Sequence, residues 1–215
     1  STLMRSSAAS DVYKRQQLGT PISSLMAWMD LLESSGVDPS LLSDMNKDVN
    51  RLSVIAERFS KIGSKPEMEL IYVNEVLENA TEYMRRRVSD KVLITTHLPS
   101  DAEGAMVCLS LFEWVIENLC KNAVDAMNGE GRIDVYMTSE KQQIYIDIKD
   151  TGKGIARKNF KTVFNPGYTT KKRGWGLGLT LAKRIIEDYH AGRIYVKDSE
   201  VGKGTTFRIE LKRVV

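Results

Sequence analysis

Residues 144–154 read Ile-Tyr-Ile-Asp-Ile-Lys-Asp-Thr-Gly-Lys-Gly. Apolar side chains at 144, 146 and 148 alternate with polar ones, and a period of two predicts a half-buried strand. The strand closes on an acidic residue, Asp150, and glycines follow at 152 and 154. Upstream, Ile133, Val135 and Met137 repeat the same period, with Lys141-Gln142 in the turn region between the two runs. An antiparallel pair with one covered face is the simplest reading.

Working outward, Leu70–Val73 reads as a strand, and Asn74 is placed to cap a helix running to about Val88. Val76, Leu77, Ala80, Tyr83, Met84 and Val88 give that helix an apolar face. Residues 91–98 are β-like. Residues 110–128 form a helix with Leu111, Val115, Leu119, Ala123 and Ala126 on its inner side. Residues 177–189 form another, closed by Gly192 near its C-terminus. Ile194 and Val196, then Phe207, Ile209 and Leu211, mark two last strands joined by a turn at Gly202-Lys203-Gly204. Helices segregated to one face of a mostly antiparallel sheet make residues 65–215 an α+β unit, an α/β sandwich.

Residues 17–64 follow another rule. Leu18, Ile22, Leu25, Met29 and Leu32 are spaced four, three, four, three, and Met45, Val49, Leu52, Ala56 and Phe59 repeat the spacing. Each series is a heptad seam on one helix. The breaker cluster Ser35-Gly36-Val37-Asp38-Pro39-Ser40 makes the two helices an antiparallel hairpin. Such a hairpin buries little by itself. A second copy completing a four-helix bundle, and hence a homodimer, is expected; a hairpin packed within one chain is the alternative. Residues 1–16 have no helical or strand period. They resemble translated sequencing-adapter read-through more than native sequence, with a native flexible linker as the alternative.

The chain has 215 residues, 42% apolar and 27% charged, as expected of a globular protein. A net charge of +3 is too small to indicate nucleic acid or a membrane surface as partner. Cys108 and Cys120 lack metal-type spacing and set no disulfide framework, and His97 and His190 are scattered. No apolar run approaches a membrane span. The expected setting is cytoplasmic, with no membrane contact by this chain, although a longer parent could be anchored.

Four short stretches carry the chemistry. Glu-Asn-Leu-Cys-Lys-Asn-Ala (117–123) lies on a helix. Asp-Thr-Gly-Lys-Gly (150–154) closes a strand. Phe-Asn-Pro-Gly-Tyr-Thr-Thr-Lys (164–171) follows, and Gly-Trp-Gly-Leu-Gly-Leu (174–179) opens a helix. In this order they resemble the ATP-binding domain of sensor histidine kinases, in the superfamily shared with gyrase, Hsp90 and the mismatch-repair ATPases. The glycines are neither a Rossmann fingerprint, lacking the acidic ribose partner, nor a Walker loop, lacking the terminal Lys-Ser/Thr.

The residue types suit that resemblance. Asn118, Lys121, Asn122 and Asp125 share one helix face at i, i+3, i+4 and i+7. Read alone they could be a solvated face. The resemblance assigns Asn122 to Mg²⁺ through its amide oxygen, Asn118 to supporting the site and Lys121 to phosphate. It makes Asp150 the acceptor for the exocyclic amine of adenine; a strand-end turn former is the bland alternative. Gly152 and Gly154 let the backbone approach the base. Gly174, Gly176 and Gly178, with Leu177 and Leu179, offer bare amides to phosphate at a helix start. Thr169, Thr170 and Lys171 match the lid-side box, so Lys171 is expected on the γ-phosphate; Lys172 and Arg173 complete what could also be a solvated charge run. Phe164 would be an apolar latch between lid and body. The cofactors implied are ATP and Mg²⁺.

Gln17-Leu18-Gly19-Thr20-Pro21 resembles the end of the histidine box of these kinases. The phospho-accepting His would stand at position 16, occupied here by Gln16, which has no nitrogen able to accept a phosphoryl group and stay intact. Gln17 departs from the acidic residue of many relatives. Thr20 is either the residue that orients a hydrolytic water or an ordinary helix residue ahead of Pro21. The resemblance implies a protein histidine kinase that relays phosphoryl to an aspartate on a response-regulator receiver domain. Two rivals stand beside it: a nucleotide-binding pseudokinase, favoured by Gln16, and an ATP-gated clamp. The clamp enzymes usually carry a glutamate base one turn before the metal Asn, where this chain has Asn118.

Overall fold

The computed structural model describes residues 21–62, 66–169 and 176–214. It divides into two compact units, with the boundary between Pro66 and Glu67.

The first unit is the expected pair of helices, α1 (described over 21–34) and α2 (Pro39–Ile62). Gly36 turns the chain at φ 76°, a conformation that favours glycine. Asp38 caps α2: its carboxylate accepts the Ser40 N–H and Ser40 hydroxyl, both at 2.8 Å. Those two bonds hold the Asp38 carboxyl below its usual range. Only part of the seam is covered. Met29, Leu42 and Val49 are buried, with Leu32 and Val37 against them. Leu25, Met45 and Leu52, also at seam positions, are exposed.

In the second unit, β1 (Glu69–Tyr72), β2 (Val92–His97), β3 (Gly104–Val107), β4 (Gly131–Glu140), β5 (Gln143–Asp150), β6 (Arg193–Glu200) and β7 (Gly204–Val214) form one sheet. Its order is β1-β3-β7-β5-β4-β2, with β6 also on β7. All pairs are antiparallel except β2 with β4. Three helices cover one face: α3 (Val73–Arg85) against β2, α4 (Leu109–Ala126) across β4, β5 and β7, and α5 (Gly178–Arg184) against β6. The core lies between the layers, where Leu111, Phe112, Ile116 and Leu119 of α4 meet Ile133, Ile144, Ile146, Ile148 and Ile209. Each such side chain contributes about 1.5–3 kcal/mol by leaving water. On the open face Arg208 grips Asp147 through Nε–Oδ1 (2.6 Å) and Nη2–Oδ2 (2.7 Å), and Lys197 adds a third contact at 2.7 Å. Burial alone would raise the Asp147 carboxyl, but these cations hold it below its usual range.

Several boundaries differ from the sequence expectation. Asn74 does not cap α3; its side-chain oxygen accepts the Glu103 N–H at 3.3 Å across the fold, and Tyr72 stands at the cap position without a side-chain bond. α3 stops at Arg85, short of Val88. β3 went unforeseen. The helix expected over 177–189 is α5 followed by a π turn at Ile185–Tyr189. At its end the left-handed residue is Ala191 (φ 48°), not Gly192. Gly192 is required for space instead, because a Cβ there would lie 2.4 Å from the Glu210 carbonyl oxygen. No helix among the described residues is long and apolar enough to cross a membrane.

Candidate functional site

A cavity of about 660 Å³ opens between α4 and the ends of β5 and β7, within the range of about 300–1,000 Å³ usual for small-molecule sites. The periodicity of α4 buries Val115, Leu119 and Ala123 on the sheet. The same helix turn sends Asn118, Lys121, Asn122 and Asp125 to the cavity side, where all four line the wall. The Asn118 Nδ2 amide is buried and makes no hydrogen bond. An unpaired buried amide costs about 1–3 kcal/mol, so this position is expensive unless a ligand group meets it.

Asp150 lies opposite, at the end of β5 beside Ile133 of β4. It is 3% exposed and lines the cavity. One carboxylate oxygen accepts the Gly152 N–H at 2.8 Å. Burial pushes the Asp150 carboxyl up, and hydrogen bonds from the Gly152 and Thr205 backbone N–H groups pull it back. The surrounding backbone is packed without room for side chains. A Cβ on Gly152 would lie 2.8 Å from Ala126 backbone, one on Gly154 2.1 Å from the Glu200 carbonyl oxygen, and one on Gly204 1.9 Å from the Asp150 carbonyl oxygen. Gly204, expected as a turn residue, is therefore also a packing requirement under the acid.

Eleven expected residues meet at this cavity: the four on α4, then Asp150, Gly154, Thr169, Gly176, Leu177, Gly178 and Leu179. Gly152 and Phe164 do not line it. Gly152 packs on α4 as described. Phe164 is buried beneath, edge-on to Phe207 with ring centroids 6.1 Å apart, and its carbonyl accepts the Thr180 hydroxyl at 3.0 Å. Gly167 N–H donates to the Gly176 carbonyl at 3.2 Å, which brings the chain before and after residues 170–175 together. Gln16, Gln17, Thr20, Thr170, Lys171 and Gly174 lie outside the described residues. Sequence reading missed Lys153, Ile155, Ala156, Asn159, Val163, Tyr168, Thr205 and Phe207, which also line the cavity. Phe207 was read only as a strand residue and Thr205, just before that run, carried no signal; the others lie in loops or single 3₁₀ turns with no periodic signal.

A family described as histidine kinase-, DNA gyrase B- and HSP90-like ATPases matches residues 108–215, which hold α4, Asp150 and every wall of this cavity. The chain belongs to that ATPase family. Among curated relatives, sporulation kinase A of Bacillus subtilis is 40% identical over 99 residues, 46% of this chain and 16% of its own length. Sensor kinase CckA of Brucella abortus is 30% identical over 199 residues, covering 83% of this chain and 21% of that protein. The chain thus spans about a fifth of these relatives. Among solved structures, the catalytic domain of histidine kinase ThkA aligns with TM-score 0.62 at 22% identity, over 68% of this chain and 96% of that one. Full-length ShkA in complex with AMPPNP aligns with TM-score 0.77 at 18% identity, over 96% of this chain and 46% of that one. Both alignments show that the chain shares the fold of those two proteins.

Proposed function

We propose that this chain is the ATP-binding catalytic portion of a two-component sensor histidine kinase. The observation that carries the reading is the pairing, across one cavity, of a buried carboxylate at the sheet end with an amide-and-lysine face on α4. Asp150 accepts the exocyclic amine of adenine. Asn122 supplies an amide oxygen of the kind Mg²⁺ takes while keeping phosphates and water in its shell; Asn118 supports the site, Asp125 lines the same face, and the orphaned Asn118 amide has donor capacity to give. When bound, Mg²⁺ neutralises charge on the transferring phosphate. Lys121 faces the phosphates, and the glycine amides near Gly176 and Gly178 line their path. Phosphoryl transfer needs mainly such positioning and charge neutralisation.

The acceptor would be a histidine at position 16, occupied here by Gln16, immediately before the hairpin spanning residues 17–64. An aspartate of a response-regulator receiver domain would take the phosphoryl next; a related ThkA structure contains the response regulator TrrA. The exposed seam residues Leu25, Met45 and Leu52 support a homodimer through the hairpin. The catalytic domain would run from residue 65 to 215.

Titration calorimetry with ATP and Mg²⁺ tests the reading. The chain should bind, and Asp150→Asn should weaken binding about ten- to a hundredfold, as loss of a charge-assisted hydrogen bond predicts. A folded Asp150→Asn variant with unchanged affinity would sink the adenine assignment. The chain should form no phosphohistidine from γ-labelled ATP until a native-like upstream helix carrying His at position 16 is restored. ATP binding without label in that restored protein favours the pseudokinase.

A further inference from the structure

Ser199 lies on β6, outside every stretch that marked the site in sequence, yet its hydroxyl makes three hydrogen bonds beside the cavity. The Ile155 N–H donates to Ser199 Oγ at 2.7 Å. Ser199 Oγ lies 2.8 Å from the Gly204 carbonyl oxygen and 2.9 Å from Thr205 Oγ1. A hydroxyl has one proton and two lone pairs. The Gly204 carbonyl has no proton, so the Ser199 proton must lie on that line. The Thr205 contact can then be bridged only by the Thr205 proton. Ser199 is saturated: one bond given, two accepted.

The consequence falls on Thr205, which is 4% exposed and lines the cavity. Its hydroxyl spends its one proton on Ser199. It has only lone pairs to offer. A β-bulge makes this possible. The register of β6 on β7 shifts between Val196 and Asp198, so that Ser199 stands directly opposite Thr205. Val196 and Ile194 face the core; without the extra residue, Asp198 would follow them inward and Ser199 would point to the open face.

We propose that Ser199 is a positioning residue that fixes Thr205 as a hydrogen-bond acceptor, so that Asp150 and Thr205 meet the 6-position of the purine with acceptors alone. This rests on the nucleotide-site reading and deepens it. A 6-amino purine brings two N–H groups on one nitrogen to Asp150 and Thr205. A 6-oxo purine brings a lone pair against them, and a site built of polar groups rejects the analogue that leaves them unpaired. The same serine ties Ile155, just after the glycine box, to the β6–β7 turn.

Ser199→Ala frees the Thr205 hydroxyl to rotate and donate. Affinities for ATP and for inosine triphosphate, each with Mg²⁺, should show wild type favouring ATP and Ser199→Ala losing about five- to tenfold of that preference. Thr205→Val should lose as much, and adding Ser199→Ala to Thr205→Val should change the ratio no further. The Ile155 amide should exchange faster in Ser199→Ala, and Ser199→Thr should restore both its protection and the ratio. If Ser199→Ala weakens both nucleotides equally, the serine is only structural and the proposal falls. If Ser199→Ala does not fold, Thr205→Val decides alone, and full retention of the ATP preference overturns the proposal. A wild-type chain that binds neither nucleotide defeats the nucleotide-site reading and this inference with it.

Discussion

The two ends of the cavity are built from opposite materials. Around Asp150 the wall is backed by tightly packed backbone: Gly152, Gly154 and Gly204 leave no space for a Cβ, and the carboxylate already accepts the Gly152 N–H. Along α4 the wall is side chains, one of them, Asn118, with an unspent buried amide. A backbone wall cannot adjust, which suits a rigid planar base. A wall of long or amide side chains can, which suits phosphates whose charge and coordination change during transfer. Pre-organisation and unspent hydrogen-bonding capacity are thus divided between the two ends rather than mixed.

The sharpest way to break this contrast is at the backbone end. Gly204→Ala forces a Cβ onto the Asp150 carbonyl at φ 127° and should cost about 3–5 kcal/mol or prevent folding of the second unit. Gly202→Ala, in the same turn at φ 85° but facing open space, should cost only about 1–2 kcal/mol. Urea unfolding of the two variants separates close packing from backbone strain; equal losses would mean that the crowding at Gly204 is relieved cheaply.

At the side-chain end the expected effect is smaller and of opposite sign. Asn118→Leu removes a buried amide without a partner while keeping its γ-branched shape, and should stabilise the nucleotide-free protein by about 1 kcal/mol. The same change should weaken ATP–Mg²⁺ binding. A variant that is destabilised as well would show that the Asn118 amide is satisfied in the free protein.

The smallest effect concerns what anchors α4. The His190 Nε2 accepts the Cys108 N–H at 3.0 Å at the start of that helix, and Nδ1 donates to the Ile185 carbonyl at 2.7 Å. The ring is therefore neutral. Burial lowers its pKa, against the opposing influence of those two bonds. With the folded value below the unfolded 6.5, the stability this ring contributes is fully present above that value and is lost as pH falls through it. Unfolding free energies at pH 7.5 and 5.5 should differ more for wild type than for His190→Gln. Parallel pH profiles would remove the imidazole from the account.

Much of this was legible in sequence because it repeats locally. β4, β5 and β7 show their period of two, α4 its i, i+4 ladder, and the glycine boxes their spacing. β3 escaped notice because four residues between Glu103 and Cys108 are too short for a period to register; its strand character comes from β1 and β7 on either side. Thr205 and Ser199 were invisible as site residues because their partners at Asp150 and Ile155 lie 55 and 44 positions away. His190 was read as scattered for the same reason, its Cys108 partner being 82 residues upstream. The Asp38 cap, by contrast, was hidden inside a cluster read only as a break.

The strand order has one more implication. The second unit begins on β1 and finishes on β7, and both pair with β3; the register sets Val214 and Tyr72 on either side of Gly104, three residues along from Glu69, so the two ends of this body lie about 14 Å apart. A body with adjoining ends can be spliced between other segments, or its ends joined and reopened elsewhere, without any strand changing neighbours. Such geometry makes the unit portable: its architecture places no demand on what is attached before or after it.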